Sequence, residues 1–112
     1  MTLQEYENQA RSTARYPQEV TLLYPTLKLA GEAGEVAEKL GKAMRDAGWL
    51  PGQAVPGELR DALVKELGDV LWYVASVAVD LGSSLEEVAE VNVAKLASRA
   101  ERGVIHGSGD DR

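Results

Sequence analysis

Three groups of breaking residues divide this chain, and the stretches between them have the period of helices. Tyr16-Pro17 closes the first stretch, because the residue before a proline is pushed out of the helical region. Pro51, Gly52, Pro56 and Gly57 interrupt the middle, and Gly82 closes the third stretch. Thr2-Leu3-Gln4-Glu5 reads as a capping box, which predicts a first helix from about Leu3 to Arg15. A second is expected from about Tyr24 to Asp46, with Pro25 tolerated in its first turn. A third should run from about Glu58 to Leu81. The segment Val70 to Val79 is β-branched enough to mimic a strand, but it sits inside a longer helical pattern and reads as a helix buried on most sides. Ser84-Leu85-Glu86-Glu87 is a second capping box, opening a fourth helix to about Arg102. From Gly103 the chain is a Gly-rich tail. The expectation is one all-α domain over residues 1–112, a bundle of four to five helices with residues 103–112 as the tail.

A chain of 112 residues has a modest core, and helical proteins of this size often oligomerise to bury more surface. The net charge of −6 argues against a nucleic-acid duplex as partner, because phosphate backbones need a basic surface. A single nucleotide is not excluded, since metal ions can handle its charge locally. Cysteine is absent, which removes disulfides, thiolate metal sites and thiol nucleophiles. The first residues lack a basic-then-apolar signal pattern, and no apolar run approaches the ~20 residues of a membrane span. A cytoplasmic protein with no membrane partner is expected.

The informative residues are polar ones in apolar places. On the third helix, Leu59, Leu63, Leu67, Val70, Val74 and Val77 form the apolar face, and Glu66 falls inside it. Asp69 lies three residues on, at its edge, and residues three apart point the same way. A buried, unpaired carboxylate would normally protonate, so two such groups directed inward need cations. The second helix carries Glu32 and Glu35 at the same spacing. Its apolar side holds Leu23, Leu27, Ala30, Ala33, Ala37, Leu40 and Met44; Glu32 borders that side and Glu35 lies further into the polar one. Two such pairs on facing helices can gather four carboxylates around one point, as carboxylate metal sites in helix bundles do. Oxygen ligands without histidine favour Mg²⁺, Mn²⁺ or Ca²⁺ over Zn²⁺. On the fourth helix Leu85, Val88 and Leu96 mark the inner face, and Asn92, Lys95 and Arg99 fall on it too. Such cations can neutralise the carboxylates or meet the phosphates of a ligand.

Each reading has a plainer rival. Glu35 with Lys39, and Glu38 with Lys42, have the spacing of surface ion pairs. Glu66 can be a structural ion pair with Lys95 or Arg99. Trp72 and Tyr73 suit a core better than base stacking. Trp49, in a loop, could stack on a base, although packing over the bundle end is its plainer role. His106 is the only histidine and supports no catalytic triad. The Gly-Ser-Gly segment could offer N–H groups to an anion, with a frayed terminus as the simpler reading.

The segments Gly31-Glu32-Ala33-Gly34-Glu35-Val36 and Lys65-Glu66-Leu67-Gly68-Asp69-Val70-Leu71-Trp72 together resemble the MazG-like nucleoside triphosphate pyrophosphohydrolases. These belong to an all-α NTP pyrophosphatase superfamily that includes dimeric dUTPases and phosphoribosyl-ATP pyrophosphohydrolase. The resemblance continues through Asn92-Val93-Ala94-Lys95-Leu96, Arg99 and the Gly-Ser-Gly-Asp-Asp-Arg tail. It implies Mg²⁺-dependent cleavage of an NTP or dNTP between the α- and β-phosphates, with Mn²⁺ as a substitute metal, in nucleotide-pool house-cleaning. It maps the metal carboxylates onto Glu32, Glu35, Glu66 and Asp69. It also implies a homodimer, or a tetramer built from dimers, with the active site beside the subunit interface. On this reading Glu35 and Glu66 are catalytic and Glu35 is the general base. Lys95, Arg99 and Asn92 meet phosphate or sugar, and Trp49 or Tyr73 reads the base. The Trp49–Gly57 loop is longer than in the compact family pattern. The alternatives are a superfamily relative acting on dUTP, dCTP or phosphoribosyl-ATP, or a non-catalytic helical module with structural ion pairs.

Overall fold

The computed structural model describes residues 1–112. It contains α1 (Leu3–Arg11), α2 (Leu23–Asp46), α3 (Gly57–Asp80) and α4 (Leu85–Glu101), and no strand. The first capping box forms as expected: Glu5 N–H donates to Thr2 Oγ1 at 3.1 Å, and Thr2 N–H donates to Glu5 Oε2 at 2.6 Å. α1 stops at Arg11 rather than Arg15. Ser12 and Thr13 turn their hydroxyls back onto the carbonyls of Gln9 and Ala10, both at 2.6 Å, and such local bonds compete with helix continuation.

Residues 12–22 form a strap leading to α2, with a 3₁₀ turn at Gln18–Val20 that the sequence reading lacked. Leu22 has φ 68° and ψ −48°, and Leu23 N–H donates to Thr21 carbonyl at 2.8 Å. This is the strained hand of the γ-turn, which a non-glycine residue adopts only when its surroundings enforce it. Asp80, at the end of α3, does the enforcing. Its side chain is 5% exposed and accepts from Leu22 N–H (2.9 Å), the Tyr16 hydroxyl (2.7 Å) and Arg11 Nη2 (3.4 Å).

α2 and α3 form an antiparallel hairpin. The packed side of α2 carries Pro25, Leu29, Glu32, Val36 and Lys39, in alternating steps of four and three, and then Leu40 and Ala43. This corrects the expected packing side. Leu23, Leu27 and Met44 are 58%, 65% and 42% exposed, and Ala30, Ala33 and Ala37 are exposed as well. Of the seven residues assigned to that side, Leu40 alone is part-covered. α2 has two faces apolar enough to pack, and periodicity cannot say which one the same chain covers. On α3, Leu59, Leu63, Val70, Val74 and Val77 lie toward the interior as expected, whereas Leu67 is 53% exposed. Val70–Val79 is helical, but full burial is confined to Ala75, Ser76 and Ala78.

α4 starts at the other end of the hairpin. Ser84 Oγ accepts from Glu87 N–H, but the Glu87 carboxylate accepts from the Ser83 hydroxyl, so half of the expected box forms. Buried Glu7 of α1 accepts from Leu85 N–H at 2.8 Å, placing a carboxylate at the positive end of the α4 dipole. Leu85 is buried, yet Val88 and Leu96 are 42% and 45% exposed, so most of the expected inner face of α4 lies open. No helix is long and apolar enough to cross a membrane.

Candidate metal centre

Glu32 stands on the packed side of α2, and Glu66 stands on the side of α3 that meets it. Both occupy positions where a helix hairpin would ordinarily place an apolar residue. Asp69 follows Glu66 by three residues at the exposed edge. Carboxylate oxygens of these three residues lie within 4.8 Å of one another. The side chains of Glu32 and Glu66 are 18% and 16% exposed. Like charges this close and this poorly solvated repel, so the group needs cations.

Two lysines supply part of that charge. Lys39 Nζ is 3.3 Å from Glu66 Oε1, and Lys28 Nζ is 3.8 Å from Glu32 Oε1. The first pair corrects two expectations. Glu66 pairs with Lys39 of α2, not with Lys95 or Arg99 of α4, and Lys39 reaches across the hairpin instead of pairing with Glu35. The Glu38–Lys42 pair forms as expected at 3.1 Å. Glu35 is exposed and lies outside the three-carboxylate group. The donor set fits a hard divalent cation: it is all oxygen and partly shielded, and two ammonium groups balance only part of the charge of three carboxylates.

The next turn of α3 brings an aromatic wall. Tyr73 follows Asp69 by four residues, on the same face. Burial pushes its phenol up to about 12, and the neighbouring Tyr24 and the negative charges of Glu32 and Asp69 add to the rise. Tyr6 of α1 is raised as well, by burial and then by Asp69, so two phenols flank the acidic group. Ring centroids run from Trp72 to Tyr73 at 4.8 Å, Tyr73 to Tyr24 at 6.3 Å and Tyr24 to Tyr16 at 5.3 Å. With Thr13, Arg15 and Pro17 these rings line a cavity of about 360 Å³. Trp72 is oriented by its indole N–H, which donates to Ala10 carbonyl (3.1 Å) and Thr13 Oγ1 (2.8 Å).

Sequence reading singled out Tyr73 but missed Tyr16, Tyr24, Arg15 and Asp80. The Asp69–Tyr73 spacing was a usable signal; nothing local indicated that the strap would fold back over α3. Trp49 lies at the opposite end of the hairpin. It is part-buried, its indole N–H donates to Ala54 carbonyl at 3.2 Å, and it borders a cavity of about 650 Å³ with Ala43, Pro56 and Leu59. Its indole is tied back to the loop at that end of the bundle.

On α4, Asn92 is exposed and lines a groove of about 390 Å³ with Ser83, Val88, Val91 and Lys95. Lys95 and Arg99 make their ion pairs with Asp110 of the tail, at 3.2 and 3.5 Å. The tail is folded back, which corrects the expected frayed end. Arg112 donates to the carbonyls of Val104 (3.1 Å), Ile105 (2.9 Å) and Gly109 (2.6 Å), and Arg102 donates to the Arg112 carbonyl at 2.6 Å. Carbonyls facing arginines, rather than N–H groups facing an anion, close this turn.

The family model for the MazG nucleotide pyrophosphohydrolase domain matches residues 21–104. The "Gene 37 protein" of Mycobacterium phage L5 is 46% identical over 113 aligned positions, which cover 96% of each chain. No solved structure matches the chain.

Proposed function

The chain belongs to the MazG nucleotide pyrophosphohydrolase family, and from that premise we propose that it hydrolyses a nucleoside or deoxynucleoside triphosphate to the monophosphate and pyrophosphate, using Mg²⁺. The observation that carries this reading is the convergence of Glu32, Glu66 and Asp69 in a part-buried seam, beside an aromatic cleft. Carboxylates gathered in that way are costly without a cation, and a nucleotide offers both phosphates to bridge and a base to stack.

Glu32, Glu66 and Asp69 would hold the metal, with Glu35 as the fourth ligand by family correspondence. Bound Mg²⁺, or Mn²⁺ in its place, supplies charge neutralisation at the phosphates and lowers the pKa of a coordinated water. Glu35 lies outside the tight group, and its carboxylate is assigned to accept the proton of the attacking water. Glu66 keeps the acidic group in register from within the seam. Lys95 and Arg99 would balance charge on the phosphates and on the leaving pyrophosphate, with Asn92 on sugar or phosphate. Tyr73 joins the acidic group to the cleft, so the base would lie among Tyr73, Tyr24, Tyr16 and Trp72. Trp49, packed at the far end of the hairpin, enters this reading only as a border of the longer loop. We further propose a homodimer, or a dimer of dimers, in cytoplasmic nucleotide-pool cleaning. Its support is the open apolar seam of α2 and α3.

Pyrophosphate and phosphate release from a panel of NTPs and dNTPs, with phosphoribosyl-ATP included, tests the reaction with and without Mg²⁺. Pyrophosphate release that needs Mg²⁺ is expected, and the panel names the substrate. Glu66→Gln should abolish it with helicity unchanged by circular dichroism; full activity in that variant removes the metal assignment. One observation favours a non-catalytic reading, namely that Lys39 already neutralises Glu66. That reading requires no heat of Mg²⁺ binding in calorimetry.

A further inference from the structure

The folded tail places a carboxylate against two cations of α4. A single oxygen of Asp110, Oδ1, is 3.2 Å from Lys95 Nζ and 3.5 Å from Arg99 Nη2. Two cations converging on one oxygen is the arrangement with which lysine and arginine hold an oxyanion. The carboxylate itself is 85% exposed, so water competes for it, and pairs of that kind hold weakly. Arg99 is the opposite case. Its side chain is 7% exposed, and Gly109 and Asp110 carbonyls accept from Nη2 at 3.2 and 2.8 Å. These carbonyls keep the guanidinium in place whether or not the carboxylate is there. Arg99 Nε is buried and has no partner. A buried guanidinium with an unused donor, held by neutral carbonyls and capped by an exchangeable anion, has unmet capacity for negative charge.

We propose that Asp110 is a built-in competitor at an oxyanion site formed by Lys95 and Arg99. Its carboxylate swings away when a pyrophosphate group, free or as part of a nucleotide, takes its place. The two cations hold the Asp110 carboxyl below its ordinary value, Lys95 more than Arg99, so it is ionised at neutral pH and competes at full charge. The anion chemistry stands on the tail geometry, and its link to turnover rests on the reading of the previous section. Asp111 lies next to Asp110 and makes no ion pair with either cation, which provides a control of equal charge.

The test is calorimetric titration of the full chain with inorganic pyrophosphate, and separately with a non-hydrolysable nucleoside triphosphate, both without divalent metal. Asp110→Asn should bind pyrophosphate about 2- to 5-fold more tightly than the unaltered protein, because it removes the exposed carboxylate that competes for the two cations. The gap should narrow at high salt. Asp111→Asn should leave affinity unchanged. Lys95→Gln, a change at an accessible side chain that spares Arg99, should weaken binding in the Asp110→Asn background. A gain for both ligands assigns the pair to the substrate's polyphosphate, and a gain for pyrophosphate alone assigns it to the product; both support the proposal. Equal or weaker binding by Asp110→Asn overturns it, as does an equal gain in Asp111→Asn, which would mark a general charge effect. Tighter pyrophosphate binding in a protein that hydrolyses no nucleotide with Mg²⁺ keeps this inference and removes the proposed function alone.

Discussion

Tyr73 reports on the acidic group without any need for turnover. Its phenol is raised to about 12 by burial, by Tyr24 and by the charges of Glu32 and Asp69. An acid whose folded pKa lies above its ordinary value keeps its proton longer when folded. Its contribution to stability is therefore complete below pH ~10 and is lost as pH rises from there to about 12. Ultraviolet titration should show one tyrosine ionising near 12, and Glu32→Gln should move that step downward because one of the raising charges is gone. A step that stays in place in Glu32→Gln would separate Tyr73 from the acidic group. Ser76 makes a second residue-scale case. It is fully buried and its Oγ has no partner. Replacing a desolvated, unsatisfied hydroxyl by a methyl-sized group removes a cost and leaves almost no cavity, so Ser76→Ala should gain about 1 kcal/mol in urea unfolding. Of these residues, Glu66 was legible in the sequence because an acid inside an apolar stripe is anomalous in any helix. Glu35 was not, because its wheel position is that of an ordinary surface ion pair. Lys39 was misassigned because a partner four residues away is the default until the facing helix is known.

At the scale of elements, the strap between α1 and α2 depends on one side chain. Asp80 satisfies the Leu22 N–H, the Tyr16 hydroxyl and Arg11 together, and so fixes a strained turn and the Tyr16 wall of the cleft. Asp80→Ala leaves the Leu22 and Tyr16 donors without an acceptor and should cost about 2–3 kcal/mol in urea unfolding. Asp80→Asn should cost less, since its amide oxygen still accepts one of those bonds. Equal losses in the two variants would show that the charge toward Arg11 matters more than the geometry. The helices were legible because breakers and caps act over three or four residues. Their ends shifted where side-chain hydroxyls captured the backbone, as at Ser12 and Thr13. The strap was illegible because its stabilising partner lies 58 residues from Leu22 along the chain.

The whole molecule is more open than a self-contained domain of its length. Its radius of gyration is 17.0 Å, where compact packing of such a chain gives about 13 Å. Residues 23, 27, 30, 34, 37, 41 and 44 of α2, spaced by four and three, are Leu, Leu, Ala, Gly, Ala, Gly and Met, all exposed. A Cβ added at Gly34 or Gly41 would meet nothing within 4 Å. Val64, Leu67 and Leu71 of α3 lie open at 51%, 53% and 39%. A seam of that spacing is the kind another helix covers, and large exposed apolar patches are a feature of interaction surfaces. Light scattering should find a dimer or larger assembly in solution. Leu27→Glu should dissociate it, since a carboxylate in a dry seam is unfavourable, while the monomer, which leaves Leu27 65% exposed, keeps its helices. A monomeric unaltered protein would leave this seam without an occupant.

The sequence by itself determined the helices, their breaks, the anomaly of Glu66 and the spacing that joins it to Asp69. These are properties of a stretch a few turns long, set by caps, breakers and the helical period. The tertiary structure decided which face of α2 its own chain covers, which cation neutralises Glu66, and where Lys95 and Arg99 find their anion. Each of those is a choice between partners far apart in sequence and alike in chemistry. Local period leaves such choices degenerate, and only the packing of one helix against another resolves them.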